Sequence, residues 1–137
     1  MYKSILLAAD GSDNSYRAAE EVIKLSGADS KITLLNVASV DDSVENVLHS
    51  TEGHSPNEER KAKLERIMNL FDNNNISYLL KIEKGEPKIK VVEIANSGKY
   101  DLVVLGTRGL NGLQEMVLGS VSHKVAKRSE IPVLIVK

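Results

Sequence analysis

The chain has 137 residues, 42% of them hydrophobic and 27% charged, with a formal net charge of −1 and no cysteine. That length bounds it to one domain over residues 1–137, and the near-neutral charge gives no footprint for nucleic acid or an anionic membrane surface. Absence of cysteine excludes disulfides, thiol catalysis and cysteine-ligated metals, and fits a reducing compartment.

The opening "MYKSILLAAD" has an apolar stretch too short for a secretory signal and is followed by an acid. No run is long enough to span a bilayer, so the expectation is a cytoplasmic protein. "SILLAA" (4–9) is the first expected strand. It delivers Asp10 and Gly11 to a turn, and a helix follows with Ala18, Ala19, Val22 and Ile23 as its apolar stripe and Gly27 as its stop. "KITLLNVA" (31–38) reads as a strand buried on both faces.

Residues 39–54 are polar and lack a full stripe, although Val44, Val47 and Leu48 suit one helical turn. A mobile loop is expected over 39–57. The clearest helix begins at "SPNE": Ser55 and Glu58 form a capping box, Pro56 takes the first helical position, and Leu64, Ile67, Met68 and Phe71 make the stripe. "SYLLKIE" (77–83) is the third strand. Pro87 starts a third helix that carries Ile89, Val92 and Ala95 inward and ends near Gly98. "DLVVLG" (101–106) is the fourth strand, a last helix spans about 120–129, and "PVLIVK" (132–137) closes the chain. Lys124, Lys127 and Arg128 lie toward the negative end of that helix. The order βαβαβαβαβ predicts an open parallel sheet with helices on both faces.

Ligands of such sheets bind at the carboxyl ends of the strands, where strand order reverses. "GTRGLNGLQEMVLGSVSHK" (106–124) places Gly106 at that edge, Gly109 and Gly112 just beyond it, and Gly119-Ser120 at the start of a helix. Glycine lets backbone approach a ligand, and a helix N-terminus offers free N–H groups and a positive dipole end to an anion. Ser120 and Ser122 add hydroxyls. The plain alternative is that the glycines only turn the chain and Ser120 only caps the helix. Asp10 admits two readings as well: a carboxylate for ribose, an adenine amine or a metal, or a turn former before a helix capped by Ser12 or Asp13. Val37 ends the second strand, either as core or as a main-chain partner for a base edge.

The stretch from Gly106 satisfies G-x2-G-x9-G-[ST] through Gly106, Gly109, Gly119 and Ser120. With "ILLAADGS" and "IPVLIVK" it resembles the ATP-binding branch of the universal stress protein family. The resemblance implies a Rossmann-like five-stranded sheet in order 3-2-1-4-5, binding ATP as a homodimer. It implies Ala8 and Ala9 lining the base pocket, Asp10 by ribose and adenine, and Val37 bonding adenine through its main chain. Leu105 and Gly106 would approach ribose and phosphates. Gly109, Gly119, Ser120, Val121 and Ser122 would cradle the triphosphate, with Mg²⁺ or Mn²⁺ on its oxygens.

The terminal strand, apolar and preceded by Pro132, suits an edge that pairs through Val133 to Val136 with a second copy. No hydrolytic machinery is expected. The P-loop pattern is absent, since Leu118 and not lysine precedes Gly119-Ser120, His49, His54 and His123 are scattered, and no spacing suggests a protein-held metal. A nucleotide-dependent regulatory module in stress response, with an unidentified protein partner, is the leading expectation. A slow ATPase or self-phosphorylating enzyme using Ser120 or Ser122, and an empty-site scaffold, are the alternatives.

Overall fold

The structure, a computed structural model, describes residues 2–38, 56–107 and 119–137, with the backbone alone for 56–60. In chain order the elements are β1 (Ser4–Ala8), α1 (Asp13–Leu25), β2 (Lys31–Ala38), α2 (Pro56–Asn73), β3 (Tyr78–Lys84), α3 (Pro87–Ala95), β4 (Leu102–Gly106), α4 (Ser120–Arg128) and β5 (Val133–Val136). The strands form one sheet in the order β3-β2-β1-β4-β5, and every neighbouring pair is parallel. This is the expected Rossmann-like plan, with β1 at the centre and β3 and β5 at the edges.

The largely apolar runs of β1, β2 and β4, which do not alternate with polar residues, are explained by the two helical layers. Ile5, Leu7, Ile32, Leu34, Leu102 and Val104 pack with Ala18, Ala19 and Val22 of α1 and Leu64, Ile67 and Phe71 of α2. Leu6, Leu35, Val103 and Leu105 face the other way, onto Val91, Ile94 and Ala95 of α3 and Val125 of α4. Alternate residues of one strand therefore enter opposite cores. Fully burying one such Leu, Ile or Val is worth about 1.5–3 kcal/mol.

Some local expectations need correction. α3 buries Val91, Ile94 and Ala95, whereas Ile89 is 56% exposed; Val92 is only partly buried against the core. α1 is stopped by Ser26 rather than Gly27: the Ser26 backbone is extended and its N–H still bonds the Val22 carbonyl. Gly98, with φ +87°, makes the turn after α3 as expected. Pro56 begins α2, so the loop expected over 39–57 gives its last two residues to that helix. The remainder of that loop, 39–55, with the single turn at Val44 to Leu48 and the Ser55–Glu58 capping box, lies outside the described residues, as do Gly109 and Gly112.

Candidate nucleotide site

β1 connects leftward through α1 to β2, and β4 connects rightward through α4 to β5. Strand order therefore reverses between β1 and β4, and the crevice lies above Ala8 and its cross-strand neighbour Leu105. Ala8 is half-buried, while Ala9 and Leu105 are buried at that edge.

The turn after β1 is fixed by several contacts. The Ala9 N–H donates to the Leu35 carbonyl at 2.9 Å, and the Ala9 carbonyl accepts from Asn36 Nδ2 at 2.7 Å. Asp10 Oδ1 accepts from the Ser12 N–H at 2.9 Å, and the Ser12 hydroxyl caps α1 by accepting from the Ser15 N–H at 3.2 Å. Both readings of Asp10 thus meet in one residue, since its carboxylate closes the turn while standing at the sheet's carboxyl edge. Gly11 has φ +89°, and a Cβ there would lie 2.8 Å from the Lys63 carbonyl oxygen of α2. No side chain fits.

α1 carries a side-chain cap at its own N-terminus. Ser12 caps it and Asp13 stands in its first turn. Arg66 of α2 lies 2.9 Å from Asp13 and over the Tyr16 ring at 4.4 Å. The hydrogen bond from that guanidinium, then its charge, holds the Asp13 carboxyl below its usual range.

α4 is built differently. Its N-cap is Gly119, which makes no side-chain cap bond, and its first turn contains no acid. The Gly119 N–H donates to the Thr107 carbonyl at 2.7 Å, and the helical ladder starts with His123 donating to the Gly119 carbonyl. The N–H groups of Ser120, Val121 and Ser122 thus precede the ladder and are the orphan donors of a helix start. The Ser122 hydroxyl is 2% exposed as a residue and points at the carbonyls of Thr107 (2.7 Å) and Gly119 (3.1 Å). Ser120 is exposed.

Thr107, which sequence reasoning missed, is the clamp. Its carbonyl receives both Gly119 and Ser122, and its N–H donates to Val136, so α4 begins at the end of β4. Gly106 takes part in a second way. A Cβ there would stand 2.6 Å from Asn14 Cβ and 2.9 Å from the Asn14 carbonyl carbon, so its bareness lets α1 lie against β4. The sequence carries no signal for a contact between residues so far apart.

Val37 completes the edge. β2 runs beyond β1: the last β1 pair is Ala8 with Leu35, while Val37 pairs only with Glu83 on the β3 side. The Leu35 carbonyl faces β1, so strand alternation turns the Val37 N–H and carbonyl the same way, past the end of β1. Asn36, also missed, is 3% exposed, and its Oδ1 has no hydrogen-bond partner among the described residues. The signal was present: one amide inside an apolar strand sequence asks where its bonds go.

The described residues thus bring Ala8, Ala9, Asp10, Val37, Leu105 and Gly106 to one sheet edge, with Gly119 to Ser122 tied to it through Thr107. Uncommitted main-chain donors at Val37 and at the start of α4 fit an adenine edge and an anion, respectively. Among the described residues no group of three or more His, Cys, Asp or Glu side chains is placed to hold a metal ion, and no helix is long and apolar enough to cross a membrane.

A model of the universal stress protein family matches residues 1–137. Universal stress protein MJ0577 of Methanocaldococcus jannaschii is 33% identical over 156 residues, spanning 100% of this chain and 96% of its own. A solved structure of MJ0577 superposes with a TM-score of 0.84 at 30% identity, covering 100% of this chain and 96% of that one. A universal stress protein solved in complex with cAMP superposes with a TM-score of 0.70 at 26% identity, covering 99% of this chain and 97% of its own.

Proposed function

The chain belongs to the universal stress protein family, and on that premise we propose that it is a cytoplasmic ATP-binding regulatory module of the stress response. Its occupied and empty states would present different surfaces to a protein partner. The observation that carries this reading is the contrast between the two helix starts. α1 is capped by Ser12, whereas the Gly119 cap of α4 leaves three N–H groups to an anion beside the β1–β4 crevice. The cAMP complex of a relative supports an adenine nucleotide as the ligand class.

In this reading Val37 takes the adenine edge through its main chain, Ala8 and Ala9 line the base, and Asp10 receives ribose hydroxyls. Leu105 and Gly106 border the ribose and first phosphate. The N–H groups of Ser120, Val121 and Ser122, with the Ser120 hydroxyl, hold the phosphates. Gly109 and Gly119 give them room. The nucleotide supplies a multiply charged triphosphate, accompanied by Mg²⁺ or Mn²⁺ on its own oxygens. Charge-assisted bonds of roughly 1.5–3 kcal/mol each, after the costs of association, support micromolar affinity, about −8 kcal/mol.

Residues 1–137 act as one unit, and two copies pair through β5. The supporting observation is an edge strand whose four residues, Val133 to Val136, are all only partly buried. An exposed apolar edge is normally covered.

Gly119→Asp tests the site. Gly119 has φ −66° and ψ 163°, an ordinary extended conformation that any residue adopts without backbone strain. The new carboxylate caps α4 and occupies the anion's place. ATP affinity should fall at least a hundredfold while the melting temperature holds or rises. Unchanged ATP affinity would refute the phosphate cradle. Mass spectrometry of what the denatured wild-type protein releases separates the neighbouring readings: ATP supports the regulatory module, ADP a slow ATPase, and no nucleotide together with no ATP response a scaffold. The exposed Ser120, rather than the engaged Ser122, is the acceptor to examine for self-phosphorylation.

A further inference from the structure

Asn36 lies on the face of β2 that carries Ile32 and Leu34 into the α1–α2 core, and it is 3% exposed. Its Nδ2 donates to the Ala9 carbonyl at 2.7 Å, across 27 positions of sequence. Its Oδ1 is buried without a partner among the described residues. A core position gains nothing from an unpartnered carbonyl, and leucines fill the two preceding places, Leu34 and Leu35, with no exposure at all. The amide is explained by what its donor does.

The β1–β2 ladder ends at Ala8 and Leu35. One residue later the Ala9 N–H still bonds Leu35, and Asn36 then takes the carbonyl of the same residue. The peptide leading into Asp10 is thereby fixed to β2 after regular pairing has stopped. Asp10 next folds over the Ser12 N–H, and Gly11 turns at φ +89°. We infer that Asn36 is the positioning residue that sets the Asp10 carboxylate, relative to the main chain of Val37, for the nucleoside half of the ligand. It acts through Ala9 and does not touch the ligand, because Oδ1 is closed to solvent. This rests on the nucleotide reading above and deepens it. The site has two separately held halves, the nucleoside end set by Asn36 and the phosphate end set by Thr107.

The test measures adenosine, ATP and inorganic tripolyphosphate binding by calorimetry, with thermal melts, for the full chain and for Asn36→Leu and Asn36→Asp. Asn36→Leu keeps the branched shape and the number of heavy atoms and removes the donor. Asn36→Asp keeps the shape and turns an acceptor toward the Ala9 carbonyl. Both variants should weaken adenosine and ATP by the same factor, tenfold or more, and leave tripolyphosphate within twofold. Asn36→Leu should melt within a few degrees of wild type. A general packing role instead predicts that all three ligands weaken together and follow the melting temperature, which would overturn the inference. Unaltered adenosine affinity in both variants would overturn it equally. Wild type that binds tripolyphosphate but no adenine compound would bring down the nucleotide reading, and this inference with it.

Discussion

Gly106→Ala separates a glycine kept for packing from one kept for a ligand. An ideal Cβ at residue 106 lies 2.6 Å from Asn14 Cβ, 2.9 Å from its carbonyl carbon and 3.1 Å from its oxygen. Carbon atoms in contact sit about 3.5–4.0 Å apart, so α1 must withdraw from β4 by about 1 Å. Two of the three opposing atoms are helix backbone and have no rotamer to change. Overpacking of this kind costs about 1–3 kcal/mol, and the upper half applies here. At about 4 °C per kcal/mol for a chain of this size, the ligand-free melting temperature should fall by about 8–12 °C. Far-UV circular dichroism melts without nucleotide measure it. If residue 106 were glycine only to admit phosphate, alanine would leave the empty protein as stable as before or slightly more so. A melting temperature within about 1 °C of wild type refutes the packing argument.

Ser122→Ala removes a hydroxyl that already faces the Thr107 and Gly119 carbonyls; the expected loss is about 1–2 kcal/mol of stability, with ATP affinity changed less than threefold. A calorimetric titration showing a tenfold loss at an unchanged melting temperature would instead make Ser122 a ligand contact. Ile135→Pro tests the paired edge: the Pro132 and Val136 carbonyls face β4, so alternation turns the Ile135 N–H outward, where proline deletes a donor without touching the β4 ladder. Sedimentation should show monomer for the variant and dimer for wild type; a dimeric variant, or a monomeric wild type, would reject pairing through β5.

The strand sequence was legible because burial on two faces writes itself as largely apolar runs, and Gly119-Ser120 was legible because a helix start has its own chemistry. The failures are physical too. α3 carries apolar residues at 89, 91, 92, 94 and 95, so two overlapping stripes satisfy a helical period, and only the sheet decides that Val91 goes in and Ile89 stays out. The same blindness covers Gly106, whose contact is Asn14, and Ser122, whose hydroxyl is engaged by Thr107, fifteen positions away just past β4. Local pattern shows that a glycine or serine is present. It does not show which distant backbone lies against it.

The place of β1 at the middle of the sheet has a consequence for how the chain acquires its structure. β1 and β2 are neighbours in sequence, whereas the β1 start is joined to the β4 side by the Ser4 N–H bonding Asp101 across 97 positions. Such distant pairing makes folding slow. During synthesis the segment from β1 to β3 emerges with one flank of its most apolar strand uncovered until residues 102–106 arrive. That nascent piece is where a chaperone, or an unwanted neighbour, has its opportunity.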